Sequence, residues 1–215
     1  MLDTHIQANE VIQLNEPVNI FDSNTFTMVK EEQGVYGKTT ASQADAIAFA
    51  TRKVISEKMG EDPAFYEKFS KLIQQAIEDF RAKRISDLEY LNRAVDIRDK
   101  VVTRRHDDVP AVLADNENAM AYYGVLKSFF DEQNISQKKR ETIAADTALI
   151  FEKILDKHWK VQFWDDDDAQ NRAIDDIEDY LIDEVKSKKG LDISFEQIDD
   201  IIARFMKVAE NRSRK

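Results

Sequence analysis

The chain has 215 residues, enough for one large domain or two small ones, and 42% of them are hydrophobic, while only five Gly and three Pro argue against a β-sandwich, a β-barrel or a glycine-rich nucleotide-binding architecture. The absence of Cys removes disulfides, thiolate metal sites and thiol catalysis, and no apolar run approaches the roughly 20 residues of a membrane span, so the chain reads as soluble, cytoplasmic and without a membrane partner. Net charge is −11, yet residues 161–184 alone hold ten acids against one base, Arg172, which leaves the remainder near neutral and a local basic, nucleic-acid-contacting face compatible with the acidic total.

Residues 1–40 differ from the rest. They hold Pro17, Gly34 and Gly37 and the short apolar clusters Val11 to Leu14, Val18 to Phe21 and Phe26 to Val29, with turn chemistry at Asp22-Ser23-Asn24. This reads as an extended lead-in or linker able to close a short β-hairpin. From Ala41 onward the period is helical, and residues 41–215 read as an all-α domain of about seven amphipathic helices.

Ser42 with Asp45 resembles a capping box for a helix running to about Lys58, with Gly60 as its stop. Asp62 caps and Pro63 opens the second helix, whose Phe65, Phe69, Leu72, Ile73, Ala76, Ile77 and Phe80 form one stripe. Ser86 to Glu89 is another capping box, leading to Leu88, Leu91, Val95 and Val102 on a helix that fades near His106, ahead of Pro110. A fourth helix opens at Asp115 to Asn118 and carries Ala119, Tyr122, Tyr123, Leu126, Phe129 and Phe130. Ser136 caps a longer fifth, with Ile143, Thr147, Ile150, Phe151, Ile154, Leu155 and His158. The acidic sixth continues through Ile174, Ile177, Leu181 and Val185 to Gly190, and Ser194 to Gln197 boxes the last, with Phe195, Ile198, Ile202, Phe205 and Ala209.

No catalytic, cofactor-binding or metal-ligating constellation stands out. Gly34 to Thr39 lacks a phosphate loop's first glycine, because Glu32 stands at that position. Phe129-Phe130-Asp131-Glu132 and Glu184-Val185-Lys186 echo pieces of motor and nuclease motifs, but both keep helical spacing. Asp165 to Asp168 lack calcium-loop spacing and suit a helix N-terminus, and His5, His106 and His158 have no i,i+4 partner.

Basic clusters fall at predicted helix ends. At three of them complementation of the helix dipole, worth about 0.3–1 kcal/mol per cation, is explanation enough. Lys138, Lys139 and Arg140 sit instead near a helix N-terminus, where cations are disfavoured, and are the first candidates for DNA-phosphate contact, joined by Arg104 and Arg105. His158 to Trp164 brings both tryptophans within six residues, either as buried aromatic packing or as a partner-facing hot spot; Trp159, Trp164, Asp175 and Asp176 are the interface candidates.

Longer strings carry a resemblance. Asp62-Pro63-Ala64-Phe65-Tyr66-Glu67-Lys68-Phe69-Ser70-Lys71-Leu72, Arg84-Ile85-Ser86-Asp87-Leu88-Glu89-Tyr90-Leu91 and Asp115-Asn116-Glu117-Asn118-Ala119-Met120-Ala121-Tyr122-Tyr123-Gly124 are followed by Trp164, Asn171-Arg172-Ala173-Ile174-Asp175-Asp176-Ile177-Glu178-Asp179-Tyr180-Leu181 and Leu191-Asp192-Ile193-Ser194-Phe195-Glu196-Gln197-Ile198-Asp199. In this order they resemble the C-terminal region of type I restriction enzyme R subunits, over about residues 44–212. Residues 1–38 match less clearly.

The resemblance implies a helical C-terminal fragment of a motor and endonuclease subunit of a restriction-modification system. The parent's nuclease carboxylates and its ATP and Mg2+ sites belong to segments not matched here, so the fragment is expected to be inert alone, with no cofactor of its own. Implied partners are the methyltransferase and specificity subunits, the rest of the R subunit and double-stranded DNA. The implied role is docking onto that core and supporting DNA during ATP-dependent translocation and cleavage. Trp164 and the acidic helix would then present the protein-binding face, and Lys138 to Arg140 would meet phosphate. The competing reading is a free-standing α-helical scaffold or adaptor without a nucleic-acid role.

Overall fold

The computed structural model describes residues 19–22, 39–104 and 109–213. Among these residues the chain forms seven α-helices and no strand: α1 (Thr40–Lys58), α2 (Pro63–Arg81), α3 (Asp87–Val102), α4 (Glu117–Phe130), α5 (Gln137–His158), α6 (Asp167–Tyr180) and α7 (Phe195–Ser213). Two 3-10 turns, Ala111–Leu113 and Phe163–Asp165, and a π-helix, Leu181–Lys188, complete it. The expected hairpin and Arg105 lie largely or wholly outside the described residues; within 19–22 the chain makes a turn in which the Phe21 amide donates to Asn19 Oδ1 at 3.0 Å.

The chain groups into two compact units. The first comprises the described residues up to Arg52 together with Ile73–Val102. Its core gathers Ile20, Ala44, Ile47 and Ala48 with Ile73, Ile77, Tyr90, Leu91 and Ile97. Tyr90 stacks on Phe80 at 4.5 Å, and its hydroxyl donates to Asp45 Oδ1 at 2.9 Å. The Tyr90 hydroxyl is pushed well above its ordinary range by burial and by that carboxylate. Buried Arg98 donates to the Ile20 carbonyl, tying the early turn to α3. The first helix begins one turn before its expected box: Thr39 Oγ1, rather than Ser42, accepts from the Ser42 amide at 3.2 Å, which leaves Asp45 to Tyr90.

The second unit comprises Lys53–Leu72 and Thr103–Lys215. Caps at Asp62, Ser136 and Ser194 form as the sequence predicts, and within the predicted opening at Asp115 to Asn118 the cap is Asn116. At Ser194 the box is reciprocal, since Gln197 Oε1 accepts from the Ser194 amide at 2.9 Å while Ser194 Oγ accepts from the Gln197 amide at 3.1 Å. α4, α5 and α7 bury an aromatic centre in which Phe205 meets Tyr122 at 4.6 Å and Phe151 at 4.8 Å, both edge-on. Gly124 permits a close approach of α4 to the start of α2: a Cβ there would meet the Ala64 Cβ at 2.7 Å. Three residues assigned to apolar stripes, Leu72, Leu88 and Phe195, face outward instead. Each lies at the edge of its stripe, and Phe195 packs under the Lys186 ammonium 5.6 Å from its ring centre.

The acidic helix does not run as one α-helix to Gly190. It winds as α6 to Tyr180 and then as π-helix through Lys188, closing on Gly190 at φ +72°. Its buried positions explain the change. Ala169, Ala173, Ile177, Leu181 and Val185 recur every four residues, and all are fully buried. At 3.6 residues per turn a strict four-residue series drifts by about 40° per step, so over several turns the stripe would rotate off the core. The wider π turn cancels the drift and keeps Leu181 and Val185 inside.

Candidate functional site

The DNA-phosphate candidates separate into two kinds. Lys138 and Lys139 are exposed in the first turn of α5. Arg140 is not available in the same way: its guanidinium donates to the carbonyls of Gln133 and Ile135, both at 2.9 Å, and lies 3.9 Å from Asp131. It closes the α4–α5 connection, which explains a cation near a helix N-terminus without any phosphate. Arg104 is likewise turned inward. At φ 49° it points its guanidinium toward Glu117 at 3.5 Å, Asp62 at 3.8 Å and Glu61 at 4.0 Å, with the Tyr66 ring 6.0 Å away. Arg212 adds a second cation to this hub, 3.6 Å from Glu117. Asp62, which is 1% exposed, has its carboxyl pushed above the ordinary range by burial, against the opposing pull of the Phe65 amide, Arg104 and Arg212.

The interface candidates converge more closely. α5 ends at His158, and the chain turns through Gln162, held left-handed at φ 61°, into the 3-10 turn; Asp166 then caps α6 by accepting from the Ala169 amide at 2.8 Å. This reversal clusters three aromatic rings. Phe163 is buried, Trp159 stacks on it at 5.3 Å, and Trp164 meets it edge-on at 4.9 Å. The two indoles stand 6.3 Å apart at 74°. Trp164 is half-buried and donates its indole N–H to Ser213 Oγ at 2.5 Å, whereas Trp159 is 49% exposed. The rings divide by burial, with Phe163 in the core and Trp159 at the surface.

Asp176 accepts from His158 Nε2 at 2.7 Å and from Lys157 at 2.6 Å, and these bonds hold its carboxyl below the usual carboxylate range. It fastens α6 to the end of α5. Asp175, one position earlier, is exposed and makes no ion pair among the described residues. The acidic run divides similarly, with Asp166 capping and paired to Lys160 while Asp167 and Asp168 occupy the first turn of α6.

Beside the two indoles opens a cavity of about 230 Å³, which α4, α5 and the end of α7 help to line. Sequence reasoning found the tryptophans but missed the cavity, since Tyr122, Glu152 and Arg212 come from helices distant in the chain. The only local signal is the pair Glu152 and Asp156, one turn apart on α5, with Trp159 at its C-cap.

Among the described residues no group of three or more His, Cys, Asp and Glu side chains is placed to hold a metal ion, and no helix is long and apolar enough to cross a membrane. No protein-family model, curated protein or solved structure matches the chain.

Proposed function

We propose that this chain is the helical C-terminal domain of a type I restriction enzyme R subunit. It would dock onto the methyltransferase and specificity core in the cytoplasm and support DNA contact during the parent subunit's ATP-dependent translocation and cleavage. The observation that carries this reading is the ordered set of composite strings from Asp62 to Asp199. They coincide with features that build the fold: Asp62-Pro63 opens α2, Asn116 caps α4, Gly124 meets Ala64, and Ser194-Phe195-Glu196-Gln197 boxes α7. The half-exposed Trp159 supports a docking surface, because an indole supplies large contact area at low entropic cost. Chemistry would stay with the parent's other segments, which would hold ATP and Mg2+, and this domain would contribute contacts.

A second reading draws on the inward placement of Arg104 and Arg140, which leaves Lys138 and Lys139 as the exposed pair among the described phosphate candidates. It is an α-helical adaptor that binds protein without nucleic acid. Binding of the purified chain to the methyltransferase and specificity core, and separately to duplex DNA over a salt series, tests both. Core binding with weak, steeply salt-dependent DNA affinity is the expected result. Failure to bind the core overturns the restriction-subunit reading, and core binding with no salt-sensitive DNA affinity removes the DNA role.

A further inference from the structure

The cavity beside the tryptophans has the chemistry of a receptor for a cation. Two of its walls are the indoles of Trp159 and Trp164, set at 74° to each other. Indole is the strongest aromatic acceptor of a cation. A third wall is Tyr122, only 4% exposed, whose hydroxyl has no hydrogen-bond partner among the described residues.

Two carboxylates complete the lining. Glu152 and Asp156 stand one turn apart on α5, and Trp159 follows at its C-cap. Glu152 accepts from the Asn116 amide, which fixes its orientation without neutralising it. Asp156 is exposed and forms no ion pair among the described residues. The cation in the lining, Arg212, directs its bonds elsewhere, to Asn118 at 2.7 Å and to Glu117 at 3.6 Å, so the lining holds two acids against one base. Lys160, beyond the rim, is paired with Asp166.

The size is selective as well. About 230 Å³ is small beside the cavities that hold drug-sized ligands, and suits one long side chain rather than a nucleotide or a helix. The paired acids repel phosphate and carboxylate. A guanidinium fits best, because its plane stacks on indole while its N–H fork bonds a carboxylate.

We infer that this cavity receives an arginine side chain from a basic segment of the protein on which the domain docks. The inference deepens the docking reading and rests on it for the partner's being a protein.

The experiment uses the whole chain and the peptide acetyl-Gly-Arg-Gly-Arg-Gly-amide. The chain's two tryptophans both line the cavity, so intrinsic fluorescence reports on it directly. A saturable change in emission is expected, with affinity reduced about tenfold by Asp156→Asn and about fivefold or more by Trp159→Ala, as the loss of one charge partner or one ring face implies. Replacing each Arg of the peptide by Lys weakens binding and replacing it by Glu abolishes it, while Asp199→Asn, an exposed acid of α7 outside the cavity, has no effect. Thermal unfolding of each variant verifies that it remains folded.

No saturable response, or a response indifferent to Asp156→Asn, overturns the inference. So does a chain ending at Ser213 that binds the peptide tenfold more tightly than the full chain, because the cavity would then be serving Arg214 and Lys215. The same variants are tested on the methyltransferase and specificity core. Core binding unmoved by Asp156→Asn sinks the cavity's role and leaves the docking reading standing. Peptide binding that responds to Asp156→Asn, in a chain that ignores the core, does the opposite.

Discussion

Two clusters in the second unit are built from the same residue types and do opposite things with them. Around Arg104 and Arg212, the carboxylates of Glu61, Asp62 and Glu117 lie within ion-pair distance of guanidinium groups, and the charges are spent on one another. Around Trp159 and Trp164, Asp156 keeps its charge outward, and the only nearby cation of the lining is engaged elsewhere. The first arrangement stabilises the fold by mutual satisfaction. The second leaves interaction capacity at the surface. Charge sign and helix position alone do not separate them; what does is whether tertiary structure brings each group a partner.

The largest effect expected from breaking this comparison lies in the hub. Arg104→Ala leaves Asp62 buried with less compensation and should cost about 3 kcal/mol, read as a lower urea midpoint at unchanged slope. Trp164→Ala removes a half-buried ring and its bond to Ser213 and should cost about 2 kcal/mol, whereas Trp159→Ala, which removes a half-exposed ring with no such bond, should cost about 1 kcal/mol while weakening core binding more. A Trp159→Ala variant that unfolds more readily than Trp164→Ala would reverse the assignment of surface and support.

Acid titration sharpens the contrast, because the two regions carry opposite signs. The Asp62 carboxyl is raised in the folded state, so the native protein holds its proton more tightly than the unfolded chain, and this group's contribution to stability declines as pH rises from 3.8 through the folded value. The Asp176 carboxyl is lowered, so its contribution is present above 3.8 and is lost as pH falls through the folded value. Stability measured against pH should therefore lose one slope in Asp62→Asn and the other in Asp176→Asn. Identical profiles for the two variants would contradict both environments. The smallest effect on stability is expected for Lys138→Glu with Lys139→Glu, within about 0.5 kcal/mol, together with a DNA salt dependence shallower by about two, one for each phosphate contact removed.

Much of the fold is legible in the sequence because helix signals are local. Asp62, Ser86, Asn116, Ser136 and Ser194 cap where their side chains and spacing say they should. The start of α1 is misread because Thr39 and Ser42 are both good caps, and the choice is settled by Tyr90 claiming Asp45. Leu72, Leu88 and Phe195 lie on apolar stripes whose width exceeds the neighbour that covers them. The π segment is missed although its sign is present, a strict four-residue series where an α-helix alternates threes and fours. The clustering of Trp159, Phe163 and Trp164 is legible because all three lie within one turn region. The inward partners of Arg104 and Arg140 are not legible, because distant acids in one case and loop carbonyls in the other leave no mark beside them in the chain.

The π-helix also fixes a phase. Leu181–Lys188 carries the chain from α6 toward α7 with each turn slightly over-filled, and the same carbonyls would serve an α-helix if one residue were removed. Such a removal would swing everything beyond it by about 100° around the helix axis. The Gly190 reversal and the Ser194 cap that follow are aimed by this extra residue, so the segment acts as a torsional detent: it holds one angular setting by its count of residues rather than by the strength of any single contact.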